Sequence, residues 1–250
     1  MSVDQATTLR ELFARLDPRV LPVWVPQARD APTLTWLTKL AQTFAQQGER
    51  TLVIDAARVH MAAALGLRAR HDLQHLATGE CTLTEVLLDA AGGLQVVPAV
   101  RAFDAARSSR AQAAWLMQTL TTLATTTACD RMLLLFTAAQ AALLPAGGEC
   151  LLPVTHTTLR AALHEMWRMS DPRNLGARAD IAGFRLLFLG MDYEAATTLA
   201  TRLGALPDVW AAHLRMGGCV RLAPDLVHVV RAAAGWRSAA LITNATEQMA

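Results

Sequence analysis

The chain has 250 residues, of which 53% are apolar and 18% charged, with a formal net charge of +2. This apolar content is enough to bury a sizeable core within one α/β domain. The near-neutral balance leaves no basic stripe and speaks against nucleic-acid binding.

In chain order, Ala6, Leu9, Leu12, Phe13 and Leu16 recur at helical spacing, so residues 4–16 read as a short amphipathic helix ahead of Pro18. Val20–Val25 is a first buried strand, followed by a loop over residues 26–32 and a helix over 32–47 that stops at Gly48. Thr51–Ile54 forms a second strand ending at Asp55. Helices are predicted over 71–77 and 82–89, and Gly92-Gly93 leads into a strand over 94–97. A single helix over 108–125 precedes the strongly apolar strand Arg131–Phe136. Strands over 151–153 and 184–189 flank a helix over 158–169. Strands alternating with helices point to an α/β fold with a doubly wound, mostly parallel sheet covered on both faces.

The remaining sequence signals are negative or two-sided. The apolar stretch Met132–Ala146 is broken by Thr137, Gln140 and Pro145 and is too short to span a bilayer. Asp4, Arg10, Glu11 and Arg15 interrupt any signal-peptide-like run. Cys81, Cys129, Cys150 and Cys219 are widely spaced without a C-x-x-C pair, so free thiols are expected. His71-Asp72-Leu73-Gln74-His75 approaches the H-E-x-x-H zinc motif, but aspartate is shorter than the glutamate base and no third ligand is evident; a helix start is the better reading. Ser108-Ser109 reads as a helix cap or, less readily, a phosphate contact. Residues 225–242 carry Leu226, Val229, Val230, Ala233, Trp236, Ala240 and Leu241 on one helical face. That face suits a helix closing the core or a weak membrane-surface helix.

Several strings in order carry a resemblance: Asp4-Gln5-Ala6-Thr7-Thr8-Leu9-Arg10, Gln46–Asp55, Gly79–Val86, Gly92-Gly93-Leu94-Gln95-Val96-Val97-Pro98-Ala99 and Thr155–Leu163. The sequence resembles the MinD/ParA-type ATPases, and the D-Q-A-x-x-L-R string resembles the FlhG group of flagellar number and placement regulators. The resemblance implies a P-loop NTPase fold, with residues 1–17 as an N-terminal activator segment and 18–250 as the MinD-like domain. It implies a FlhF-type signal-recognition-particle GTPase as a partner, docked by Asp4, Gln5, Ala6, Leu9 and Arg10. Gln5 would order a water near the γ-phosphate, Leu9 would supply the apolar anchor, and Asp4 and Arg10 the polar rim. Contacts with flagellar C-ring switch proteins and a cytoplasmic location are implied too, with peripheral contact at the inner membrane or cell pole.

The same resemblance exposes departures. The family fills its first loop with K-G-G-x-G-K-[ST], whose glycines admit phosphate and whose lysines neutralise it. Here the loop falls on Ala28, Arg29, Asp30, Ala31, Pro32, Thr33 and Leu34, with neither glycine nor lysine. Pro32 removes an N–H from the cradle, and Asp30 reads as a helix N-cap whose carboxylate would repel phosphate. The family's D-x-D after the second strand is reduced to Asp55, and its later strand-end aspartate is replaced by Phe136. A degenerate ATPase without ATP or Mg²⁺ is therefore expected, leaving nucleotide-gated homodimerisation in doubt. The rivals are an ATPase with a noncanonical loop and a scaffold for another polar assembly system.

Overall fold

The computed structural model describes residues 20–26, 31–143, 149–170, 183–205 and 214–220. Eight strands form one sheet in the order β3-β4-β2-β5-β1-β6-β7-β8. They are β1 Val20–Trp24, β2 Thr51–Asp55, β3 Leu88–Asp89, β4 Leu94–Pro98, β5 Arg131–Phe136, β6 Glu149–Val154, β7 Gly183–Leu189 and β8 Leu214–Val220. Every pairing is parallel except that of the two-residue β3 with β4. The helices are α1 Ala31–Gln46, α2 Met61–Ala64, α3 Leu73–Ala77, α4 Leu83–Val86, α5 Val100–Ser108, α6 Arg110–Thr126, α7 Leu159–Ser170 and α8 Tyr193–Gly204.

Strand side chains alternate between faces, and both faces are covered. Trp24, Leu52, Ile54, Leu134, Phe136, Leu152 and Phe188 join one core with Phe103 of α5 and Leu116 and Leu120 of α6. Val23, Val53, Leu133, Leu135, Leu151 and Leu187 join the other, under Trp36, Leu37, Leu40 and Phe44 of α1. This double burial is why β1, β2 and β5 read as continuous apolar runs. All four cysteines are free thiols.

Several predicted boundaries change. The helix expected over 82–89 ends at Val86, because Leu87 is extended and Leu88 and Asp89 pair with Val96 and Gln95. The helix expected over 108–125 is α6, which starts at Arg110; the unanticipated α5 precedes it, and Ser109, with φ of −141° and ψ of 126°, separates the two. Ser109 Oγ accepts the Gln112 N–H at 3.4 Å, so the capping reading of the serine pair holds. The helix expected from His71 starts at Leu73, because Asp72 is its extended N-cap. Helix α8 and strand β8 were not anticipated from the sequence. The predicted helices over 4–16 and 225–242 lie outside the described residues.

The amino edge of the sheet is fastened by charge. Arg131 binds Glu49 through Nε at 2.6 Å and Nη2 at 3.1 Å, with its guanidinium 4.0 Å from the Phe44 ring centroid. Their side chains are only 12% and 19% exposed. Beside them Arg50 N–H donates to Asp130 Oδ2 at 2.8 Å, and Asp130 N–H returns to Arg50 O at 2.7 Å.

Arg131→Met leaves Glu49 half-buried without its bidentate partner, and a loss of about 2 kcal/mol is expected in urea unfolding. A pH effect comes from α4. The carboxyl of Glu85 accepts the Thr82 N–H at 2.7 Å and its hydroxyl at 2.8 Å, and these bonds, aided by nearby His71, hold it below its ordinary value. A depressed folded value stabilises above the unfolded one, so the contribution is present above about pH 4.5 and lost as pH falls through the folded value. In melting curves from about pH 7 to about pH 3, the gap between the wild-type chain and Glu85→Gln is therefore expected to close at the acid end.

Candidate functional site

In a parallel sheet wound in both directions from its centre, ligands enter at the carboxyl ends of the strands. The parallel strands here end in Trp24, Asp55, Pro98, Phe136, Val154, Leu189 and Val220. Asp55 alone among these is ionisable.

Asp55 is 5% exposed and both of its oxygens are engaged. Oδ1 accepts the Val59 N–H at 3.0 Å and Oδ2 the Met61 N–H at 3.1 Å. Arg58 and His60, on either side of Val59, have φ of 56° and 60°, in the left-handed region. Neither is a glycine, so the turn carries backbone strain that surrounding contacts must hold. Asp55 clamps it from inside, while outside it Arg58 Nη2 meets Asp104 Oδ2 of α5 at 3.4 Å.

Phe136 is fully buried and turns its ring into the core, stacked on Trp24 with centroids 6.4 Å apart at 30°. Trp24 in turn leans on Phe184 at 5.1 Å and 56°. Just beyond β5, Gln140 is 2% exposed and joins the ends of β2 and β5. Its Nε2 donates to Ala56 O at 2.7 Å, and its Oε1 accepts the Thr137 N–H at 3.0 Å. The ladder itself continues past the strand ends, through Val25 N–H to Phe136 O at 2.8 Å, Ala56 N–H to Leu135 O at 3.0 Å and Ala99 N–H to Asp55 O at 3.0 Å. Across the edge, Thr155 and Thr158 cap the start of α7 reciprocally, each hydroxyl accepting the other's N–H at 3.2 and 2.9 Å.

The predicted first loop is shorter than expected. Ala31, Pro32, Thr33 and Leu34 already form the first turn of α1, where the fixed φ of proline and its missing N–H are tolerated. Thr33 is buried. Ala28, Arg29 and Asp30 lie outside the described residues, as do Asp4, Gln5, Ala6, Leu9 and Arg10. The sole lysine of the chain, Lys39, lies within α1, about 12 Å along the helix from Ala31 at ~1.5 Å per residue. Among the described residues this edge carries no lysine, and its one strand-end carboxylate, Asp55, is bonded to the Val59 and Met61 N–H groups.

The His71–His75 pair is built into a helix start. Asp72 accepts N–H groups from Gln74, Arg101 and Ala102 at 3.0, 3.2 and 3.3 Å, so it caps α3 and ties it to the start of α5. The Nδ1 of His75 lies 2.9 Å from the Asp72 N–H, and its ring meets that of His71 edge-on at 5.5 Å. Among the described residues no group of three His, Cys, Asp or Glu side chains is placed to hold a metal, and no helix is long and apolar enough to cross a membrane.

No protein-family model and no curated protein sequence matches the chain. Among solved structures it is similar to the MinD cell division protein of Aquifex aeolicus, with a TM-score of 0.53 and 18% identity over 84% of this chain and 85% of that one. An ATP complex of McdA from Cyanothece gives 0.56 and 16% identity over 86% and 87%. A plasmid partition protein from Borrelia burgdorferi gives 0.56 and 11% over 87% and 95%. The chain has the MinD/ParA-type P-loop NTPase fold. At these identities the likeness establishes the fold and not the chemistry.

The MinD/ParA-type fold was legible from the sequence strings. Asp55, expected as the remnant of the family's D-x-D motif, is seen instead holding the turn that follows β2. The role of Gln140 was missed, because nothing in the run Thr137-Ala138-Ala139-Gln140 marks its side chain as turned inward.

Asp55→Ala leaves two buried N–H groups without an acceptor, and a loss of about 2–4 kcal/mol is expected in chemical denaturation. Asp55→Asn keeps one carbonyl acceptor and should lose roughly half as much. Unchanged stability in Asp55→Ala would show that the carboxylate does not hold the turn.

Proposed function

We propose that this chain is a pseudo-ATPase of the FlhG type that acts in flagellar biogenesis by binding other proteins. The observation that carries the reading is the occupied carboxyl edge, where the one strand-end carboxylate bonds its own backbone and Phe136 packs inward. A helix start with Pro32 and no lysine supports it from the phosphate side. Hydrolysis needs charge neutralisation and a positioned water together, and neither has a described residue to supply it.

On this reading the work passes to Asp4, Gln5, Ala6, Leu9 and Arg10, which dock on a FlhF-type GTPase and stimulate its GTP hydrolysis. Leu9 anchors the segment, Gln5 orders the attacking water, and Asp4 and Arg10 form the rim. The α/β body then serves as the platform that meets flagellar C-ring proteins on the cytoplasmic side. A second reading, an ATPase with a noncanonical loop, draws support from the fold, because the McdA structure with this fold is an ATP complex.

GTP hydrolysis by the cognate FlhF-type GTPase, measured with the full chain and with a version lacking residues 1–16, tests the first reading. Stimulation by the full chain that disappears on truncation, and that falls in Gln5→Ala, is the expected result. Absence of stimulation by either version would overturn it. Titration with ATP and Mg²⁺ separates the second reading: no saturable micromolar binding is expected, and binding with slow hydrolysis would replace the pseudo-ATPase by an enzyme.

A further inference from the structure

Helix α8 packs inward through Ala196 and Leu203, with Leu199 and Ala200 partly buried against the same core. Its outer face carries two adjacent rows at i, i+4, i+8: Tyr193, Thr197 and Thr201 in one, Glu194, Thr198 and Arg202 in the other. These six residues form one open, solvent-facing surface of the helix.

The face is more apolar than its residue names suggest. Thr197 Oγ1 donates to Tyr193 O at 2.8 Å and Thr201 Oγ1 to Thr197 O at 2.9 Å. With the hydroxyls turned back onto the helix, the methyl groups are what these threonines offer a neighbour. Tyr193 beside them is 71% exposed, a large aromatic surface left in water at the end of the face. Tyrosine is among the residues enriched at protein interfaces.

The charges specify the occupant. Glu194 lies in the first turn and Arg202 in the last, each favourable to the helix dipole, and neither has an ion pair among the described residues. We propose that the outer face of α8 is a self-complementary interface on which a second copy of this chain packs its own α8 antiparallel. A two-fold axis near Thr198 sets Glu194 against Arg202 of the second copy, and the symmetry repeats the pair. Tyr193 then covers the threonine methyls at the far end of the facing helix. A different partner would have to carry the matching acid and base at the same spacing; the second copy carries them by construction. The threonines are small enough for close helix approach. One helix pair buries less than the roughly 1,200 Å² of a standard interface, so the dimer is weak and concentration-dependent. It lies on the outside of α8 and does not use the strand carboxyl edge, so it forms without nucleotide.

Sedimentation velocity of the full chain over a concentration series, without nucleotide, tests this. The wild-type chain is expected to pass from monomer to dimer. Glu194→Arg and Arg202→Glu each set like charges together and weaken the dimer about tenfold or more. The double variant Glu194→Arg/Arg202→Glu restores it to near the wild-type value, since both pairs reform with reversed sign. Tyr193→Ser weakens it as well, with a melting curve close to wild type. Each charge reversal lowers the melting temperature slightly through the lost helix-dipole contact, so the variants are compared at a temperature where all of them are folded. A chain that stays monomeric throughout the series, a dimer indifferent to the single reversals, or a double variant no better than the singles would each overturn the proposal.

Discussion

A sheet of parallel strands brings the carboxyl ends of all its strands to one edge, and the backbone groups there must find partners. In this chain they find them within the protein. The ladder runs on through Val25, Ala56 and Ala99, Gln140 joins the ends of β2 and β5, and Asp55 takes the amides of Val59 and Met61. Each is a bond to a buried or half-buried group whose loss would leave a donor or acceptor without water or partner. Among the described residues, the shape of the edge at β1, β2 and β5 follows from these internal bonds.

The strain at Arg58 and His60 belongs to the same account. Left-handed backbone at non-glycine residues persists only where contacts over-determine it, and such residues gather at ligand clamps and switch turns. Here the clamp is a carboxylate from the preceding strand, with the Arg58–Asp104 pair holding the turn from the solvent side. The solvent-exposed pair is worth little alone. The buried carboxylate, bonded to two amides, is the stronger of the two constraints.

What the sequence revealed depended on how strongly burial shaped each segment. Strands β1, β2 and β5 are buried on both faces, so Val23-Trp24-Val25, Leu52-Val53-Ile54 and Met132–Phe136 read as unbroken apolar runs. Strand β8 contains Gly217, Gly218 and Arg215, and helix α8 buries only Ala196 and Leu203 fully among its threonines, so neither had a clear period. The split between α5 and α6 hinges on one extended residue, Ser109, which propensity alone does not distinguish from a helical one. At the candidate site, Asp55 stood out because it ends an apolar strand. Its partners did not, because Val59 and Met61 donate backbone N–H groups, which carry no signature in residue type. The left-handed turn that aims them is built from arginine and histidine instead of the glycines that would have announced it.

The amino edge is fixed by Arg131 on Glu49 and Phe44 and by the Arg50–Asp130 exchange, and the two cores fill the space between sheet and helices. The cores reach the carboxyl edge as well, where Trp24 and Phe136 end their strands inside one of them. A polar group at that edge must therefore close on a partner without disturbing these rings, as Asp55 and Gln140 do. What the chain retains is a rigid body with surfaces, and surfaces are set by exposed side chains rather than by the crevice. On the proposed reading, selection would then act on an N-terminal segment that reaches a GTPase and on the faces that meet other proteins.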